Sequence, residues 1–552
     1  MELIVGDRDY NSWGFIPINS SIPQNNISPI ERRLFHGDIL SIQGELLKSP
    51  IKTMKQMPGI LILDDGKTYG RTENGKRLFY RCIPDNKKLP VFLVPFDLKL
   101  GFSKDIKNKY VMFAFDKWTN KHPIGIIKET IGDVSDIENY YEYQLRRRNL
   151  DDSISDFSSK TRVLFSNNNE QEIVSNIMNT LNYNISNRLD HRVITIDPVG
   201  CVDIDDGLSC YTNDHTGIIT VSIYIVNVSI WMNHFDLWDY VSRVSTIYLP
   251  DKRRTMLPSI LSDNLCSLLE KKHRFALCMD IDISPDGNVV GKPRFLNALI
   301  CVKTNHSYDS DKLMRDQQYK SAMEITQKIN ANILDSHDLV EFWMVYMNTA
   351  CGNHLAEQNT GIFRNVRVKE LRDSKFENPN TQMFFNNFDN ISSEYSVVVD
   401  SARHDTLGVE WYTQITSPIR RLVDLVNQTL LLKSMNVFSE RSNEFTLKWI
   451  TNIDRLNLTM KSIKRVQNDC EIMRICYTSP EHYDTGIVFD ESIKDGVYKY
   501  RVYLENLRSV SYVKCCEKIE IHSRHNFKIF VFADESDKNN KIRMELLSQY
   551  NL

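Results

Sequence analysis

At 552 residues the chain has room for several domains, and 68 basic against 71 acidic side chains leave a net charge of −3, so bulk charge points to no nucleic-acid partner. Eleven cysteines, an odd number with no Cys-x-x-Cys pair, argue against a disulfide scaffold and against a zinc site. No apolar run reaches about 18 residues and the first residues lack a basic-then-apolar leader, so an intracellular, cytoplasmic protein without a membrane partner is expected.

Residues 1–50 are short apolar runs cut by Gly, Pro and Asn, with Trp13–Ile18 reading as a strand. From 51 to 145 the pattern is more clearly all-β. Gly59–Leu63, Leu78–Ile83 and Val91–Val94 are predicted strands separated by Asp-Gly and Pro-Asp-Asn turns. Here the local charge departs from the bulk. Lys48 to Lys128 holds 17 Lys/Arg against 7 Asp/Glu, interleaved with Tyr69, Phe79, Tyr80, Tyr110 and Phe113. Basic and aromatic residues on one small β unit suit single-stranded nucleic acid, and Tyr69, Phe79, Lys76 and Arg77 are the candidate contacts. About half of these aromatics are expected to fill the core instead. Residues 146–185, with Arg146–Arg148 and Ser/Asn-rich segments around a short helix, read as a linker with a solvated basic helix end.

The most informative stretch is Val193–Gly207. A β-branched run ends at Asp197, a Pro198–Gly200 turn follows, and Asp203, Asp205 and Asp206 come within four residues. Crowded carboxylates repel, and protonation or a cation relieves them. Their oxygens suit Mg²⁺ or Mn²⁺. An extended backbone would place Asp203 and Asp205 on one face and Asp206 on the other. An acidic surface turn is the plainest alternative, but Ile196, Val199, Val202 and Ile204 flank the acids with apolar side chains. A calcium loop would need Gly and Glu where Leu208 and Asp214 stand.

After the acids, 218–228 reads as a buried strand and Ala276–Ile283 as another, with Asp280 and Asp282 on a solvent-facing edge. Further on, Ser417-Pro418 reads as an N-cap and first helical residue, and Leu422, Val423, Val426, Leu430 and Leu431 continue with helical spacing. Arg420 and Arg421 would then occupy a first helical turn, a phosphate-binding arrangement. Asp454–Ile475 is a helix with a basic face, and the segments after 479 are strand-rich again.

Together these motifs resemble the RNase II (RNB-domain) family of exoribonucleases. Asp197, Asp203, Asp205 and Asp206 match its acidic pattern, and Tyr412 through Arg421 matches Tyr-x-x-x-Thr-Ser-Pro-Ile-Arg-Arg. Tyr248–Asp251, Met256–Pro258 and Leu261–Leu268 fall in the family's order between them. The resemblance implies an α+β multidomain chain. Its parts would be a short degenerate OB-like barrel (1–50), a cold-shock-like OB barrel (51–145), a linker (146–185), a mixed α/β RNB catalytic domain (186–478) and a C-terminal OB-like RNA-binding barrel (479–552).

It implies processive 3′-to-5′ hydrolysis of single-stranded RNA to nucleoside 5′-monophosphates with one or two Mg²⁺ or Mn²⁺ ions. Asp197, Asp203, Asp205 and Asp206 would hold the metal. Asp205, Arg420, Tyr308 and Glu341 would be catalytic, and Tyr248, Arg421 and Tyr412 would contact RNA. A monomer without an exosome-type docking domain is expected. Three departures stand out. Asn227 occupies a position where the family usually has an acid, Phe342 stands where it generally repeats Glu, and the segment from Tyr308 to Glu341 is shorter than the family pattern. The last lacks the insert that carries an aromatic clamp for terminal bases. A catalytically silent RNA-binding homologue is therefore the alternative reading, and a metal-dependent phosphatase of small substrates is a third.

Overall fold

The computed structural model describes the chain apart from residues 18–26, 99–105, 167–168, 181–182, 309, 369–375, 389–390, 400–401, 436, 438–439, 480, 495, 535–537 and 548–552. It divides into two compact units, one of residues 1–151, 249–251 and 465–552, the other of residues 152–248 and 252–464.

In the first unit the strands Met57–Leu61, Leu78–Pro84, Phe92–Phe96, Ile124–Asp133 and Lys109–Lys117 close, in that spatial order, into a barrel. Leu61, Val94, Phe92 and Phe113 fill it, and Phe35 from the N-terminal segment stacks on Phe92 at 5.7 Å. Closure removes sheet edges and lets five short strands bury one apolar face. Tyr80 and Phe113 belong to this packed interior, and Tyr110 is buried against Tyr143 instead, whereas Tyr69 is 38% exposed and Phe79 half-buried. The N-terminal strands Glu2–Val5, Trp13–Ile16, Ile39–Leu40 and Leu46–Lys48 form a four-stranded sheet. The C-terminal strands Glu481–Lys494, Val497–Leu504, Ser509–Cys515, Arg524–Ala533 and Asn540–Leu546 form a five-stranded antiparallel sheet over Val488, Tyr500, Val502 and Phe527.

The arginine run is not a solvated helix end. It closes the helix Ile137–Arg147, where Arg146 pairs with Glu129 and Glu142, Arg147 with Asp85 and Arg148 with Asp469. The segment expected to be a linker carries two helices, Ser155–Ser166 and Glu170–Met178. Their apolar positions Phe157, Ile173, Val174 and Ile177 are buried.

The second unit is built on a second closed barrel of Ile185–Asp197, Asp206–Thr212, Ile219–Val226, His273–Ile283 and Val289–Ser307. Four of its pairings are antiparallel. The closing one, between the first and last strands, is parallel and runs to Asp197 opposite Ser307. Asp280 is not on a solvent-facing edge, because its strand is hydrogen-bonded on both sides. Its carboxylate is buried against Arg188 at 2.5 Å and takes a hydrogen bond from Ser222, while Asp282 pairs with Arg294. Helix Leu422–Ser434 is buried on every side as far as Leu432, and its polar Asp424, Asn427, Gln428 and Thr429 are buried with hydrogen-bond partners, so it is not amphipathic.

Candidate active site

The strand Ile185–Asp197 delivers Asp197 to one end of the second barrel. A tight turn follows, with Cys201 donating its N–H to the Pro198 carbonyl at 3.1 Å and Gly200 at φ +81°, where a side chain would be strained. The chain then returns as the loop 202–205 and re-enters the sheet at Asp206. This loop is not extended, so the alternating placement of the acids does not apply. It is pinned instead by the segment after Leu261. Ser267 Oγ accepts from the Ile204 N–H and donates to the Val202 carbonyl, and the Leu268 N–H donates to the Ile204 carbonyl.

The four acids have different partners. Asp205 is 4% exposed and accepts from the Ile419 N–H and from Arg420 Nε, both at 3.2 Å. Asp203 pairs with Arg253 at 2.8 Å and accepts from the Tyr248 hydroxyl at 3.3 Å. Asp197 keeps Oδ2 buried without a hydrogen-bond partner. Burial, with Asp203 nearby, raises the Asp197 carboxyl to about 6. Burial raises Asp205 to about 7 despite Arg420. Asp206 is pushed well above the ordinary carboxylate range by burial and then by Asp197 and Asp205.

The arginine motif does not begin a helix at Pro418. The helix starts at Leu422, and Ser417 is no N-cap. Long-range pairing decides this. The Thr246 N–H donates to the Arg420 carbonyl at 2.9 Å and the Leu422 N–H to the Val244 carbonyl at 3.0 Å, which holds Arg421 extended against Ser245. Buried Asp424 accepts from the Ser417 N–H and from Arg421, each at 2.8 Å. Arg421 is thus tied within the protein, while Arg420 presents a guanidinium 43% exposed beside Asp205. Tyr412 is likewise no open RNA contact. It is buried against His404, and its hydroxyl accepts from Asn348 at 3.0 Å.

Tyr308 sits next to Asp197 because its N–H donates to the Asp197 carbonyl at 3.1 Å. Its phenol is raised by burial and by Asp206 and Asp197. Glu341 is exposed on helix Ser336–Glu357. Tyr248 is 43% exposed, and burial and Asp203 push its phenol up to about 12. Asn227 is fully buried, caps helix Val228–His234 through the Ile230 N–H and donates to Asn297. An amide fits there because its NH₂ has an acceptor that a carboxylate could not use.

Tyr69, Phe79, Lys76 and Arg77 belong to the first unit, whereas the acids and Arg420 belong to the second. Arg77 pairs with Asp97, Lys76 is exposed, and Arg81 lies over the Tyr69 ring at 5.9 Å. Arg253 and Asp424 are neighbours of the acids and arginines that no sequence motif marks, whereas Ser267 falls within the Leu261–Leu268 motif. Only the Arg421–Asp424 spacing carries a signal, as an i,i+3 charge pair.

Among the described residues no group of three or more His, Cys, Asp or Glu side chains is assembled for a metal. Two of the four acids are engaged by arginines. The remaining pair, Asp197 with its unpartnered buried oxygen and Asp206 beside it, has the hard donors and uncompensated charge that fit a divalent cation.

This site lies within a match to the RNB domain over residues 186–333 and 312–436, and a Dis3-like cold-shock domain 2 matches residues 79–145. DIS3-like exonuclease 2 of Schizosaccharomyces pombe is 24% identical over 459 residues, covering 64% of this chain and 48% of the relative. The chain spans about half the length of the curated relatives it matches first. In fold it is similar to apo Mycoplasma genitalium RNase R, with a TM-score of 0.70 at 16% identity over 93% of this chain and 95% of the other. The same RNase R in complex with ribose-methylated single-stranded RNA gives 0.69. Yeast Ssd1, a pseudonuclease, gives 0.58 at 13% identity over 90% of this chain and 70% of the other. The acids, the pinning segment and Arg420 all lie inside the matched region, and over that region the chain is similar to the RNB domain.

Proposed function

We propose that the protein is a divalent-metal-dependent 3′-to-5′ exoribonuclease that degrades single-stranded RNA processively to nucleoside 5′-monophosphates. The observation that carries this reading is the pairing of Asp205 with Arg420, 215 residues apart, beside an Asp197 carboxylate with a free buried oxygen. Acids and an exposed guanidinium in one place suit a phosphate that gains charge during hydrolysis. A bound Mg²⁺ or Mn²⁺ supplies water activation and charge stabilisation. Asp197 and Asp206 would hold it, with Asp203 and Asp205 completing the acidic wall.

Arg420, held by Asp205, would meet the scissile phosphate. Tyr308 and Glu341 would orient the terminal nucleotide, and Tyr248 would pack against it. Tyr69, Phe79, Lys76 and Arg77 would bind the upstream strand by stacking and backbone charge. The RNase R complex with single-stranded RNA supports this choice of substrate class.

The test is a time course on 5′-labelled single-stranded RNA with Mg²⁺, with and without a duplex block. A jump to a short end product that stalls before the duplex is expected. A second reading, a silent RNA-binding homologue, draws on the capture of Asp203 by Arg253. Retained RNA binding with no cleavage in Mg²⁺ or Mn²⁺ would select it.

A further inference from the structure

Independently of the nuclease reading, we infer that the first unit carries a binding site for a free nucleoside 5′-monophosphate, built from none of the residues of the acidic site. The site is a cavity of about 320 Å³ lined by the first barrel, the helix Ile137–Arg147, Asp469 and the start of the strand Asn540–Leu546. Ile60, Ile83, Pro84 and Ile542 give it apolar walls. Four contacts within the unit hold those walls together. Tyr110 donates its hydroxyl to Asn539 Oδ1 and Asn540 Nδ2 donates to the Val134 carbonyl, both at 3.1 Å. Arg147 pairs with Asp85 and Arg148 with Asp469, both at 2.7 Å. The volume stands at the lower end of small-ligand sites, which run from about 300 to 1,000 Å³, and suits one nucleotide rather than a strand.

The polar lining holds more donors and acceptors than the protein itself uses. Tyr143 is fully buried in it, stacked on Tyr110 at 4.3 Å, and its hydroxyl has no hydrogen-bond partner. Such a hydroxyl is costly to bury, and native proteins keep few of them without a group to meet it. The same lining holds three amides that are used at one end only. Gln144 Oε1 accepts from Arg148, Asn539 Oδ1 accepts from Tyr110, and Asn540 Nδ2 donates to Val134. Among the described residues this leaves the amide nitrogens of Gln144 and Asn539 and the amide oxygen of Asn540 without partners, although Gln144 is only 2% and Asn539 5% exposed. Two donors, an acceptor and a hydroxyl, set among tyrosine and isoleucine side chains, match a nucleobase, which carries donors and acceptors around a flat apolar body. A purely apolar ligand would leave all four unmet.

Arg147 supplies the anion end. It meets Asp85 through Nε, and its two Nη atoms make no hydrogen bond among the described residues, so the fork that grips a phosphate is available on a side chain 36% exposed. Lys87 and Lys541, which share Asp534, lie in the same wall, and the two acids of that wall, Asp85 and Asp469, are each tied to an arginine.

The experiment titrates the full chain in EDTA with each of the four nucleoside 5′-monophosphates by calorimetry, so that no cation can hold a phosphate at the acids. At least one of them should bind, with one site per chain. Tyr143→Phe should weaken it about tenfold, the contribution of one hydrogen bond. It should not lower the urea midpoint of the free chain, because that hydroxyl has no partner to lose. Arg147→Met should weaken the monophosphate about tenfold or more and leave binding of the corresponding nucleoside unchanged. Failure of all four monophosphates to bind, or binding that both variants leave intact, would overturn the inference. Uptake of a pentanucleotide in place of the monophosphates, lost in Tyr143→Phe, would assign the cavity to an RNA strand and overturn it too. A wild type that binds the monophosphate but never cleaves RNA would remove the nuclease reading and keep this site.

Discussion

Arg253 reaches Asp203 with one guanidinium nitrogen at 2.8 Å and Asp263 with the other at 2.7 Å. One side chain thereby joins the acidic loop to the segment that pins it. It also supplies fixed positive charge to a wall of carboxylates that would otherwise repel one another. Asp203 is 12% exposed in this pair and Arg253 25%, so the contact is partly desolvated. Arg253→Met should destabilise the chain by about 1–3 kcal/mol, between the values for surface and buried pairs. Urea unfolding measures this. A double-mutant cycle with Asp203→Asn should show coupling between the two sites, and strict additivity would mean the pair contributes nothing.

Asp205→Asn should abolish turnover while leaving RNA affinity within a few-fold. The amide keeps the shape and the acceptor for the Ile419 N–H but loses the charge that holds Arg420. Active-site titration with electrophoretic binding assays separates the two effects. Collapse of affinity together with activity would make Asp205 a structural residue.

Arg420→Ala should slow single-turnover cleavage about 10²–10³-fold, the usual cost of removing one preorganised donor to a developing charge. Rapid-quench kinetics at saturating enzyme reports this step directly. A fully active variant would take Arg420 out of the mechanism. Arg421→Ala should act differently, through stability, because Arg421 is bound to buried Asp424.

Lys76→Ala and Tyr69→Ala, on the exposed side of the first barrel, should weaken RNA binding without changing the cleavage step. A lysine that neutralises one phosphate of a single strand contributes about 0.7 to the slope of log affinity against log salt, and its removal should flatten the slope by that amount. The tyrosine variant should leave the slope unchanged. Binding isotherms over a series of salt concentrations distinguish the two.

His404 should make the second unit acid-sensitive. Burial, with the Arg364 guanidinium adding to it, lowers its imidazole from 6.5 to about 4. The unfolded chain therefore takes the proton first as pH falls. The stability tied to the neutral ring is complete above 6.5 and is lost progressively from there toward 4. His404→Gln should flatten that part of the pH dependence, measured as urea midpoints across the range. A midpoint profile identical to the wild type would exclude His404 as the source.

Much of the chemistry is legible in the order of residues. The Asp197, Asp203, Asp205 and Asp206 spacing, the Tyr412–Arg421 motif and the strands around Tyr80 and Val94 are local patterns, and local patterns survive in one dimension. Which charge meets which is settled only in the folded chain. Capping preferences act over a few residues and point to a helix start at Pro418. The pairing of Val244–Thr246 with Arg420–Leu422 acts over some 175 residues in sequence and overrides them. In the same way nothing local tells Arg420, exposed beside Asp205, from Arg421, consumed by Asp424. Arg253 carries no motif at all, since an ion pair at 2.8 Å exists only once distant backbone segments are fixed. The sequence alone determined that carboxylates, arginines and aromatics would gather. Long-range backbone pairing determined which of them were neutralised in the process and which were left to face a substrate.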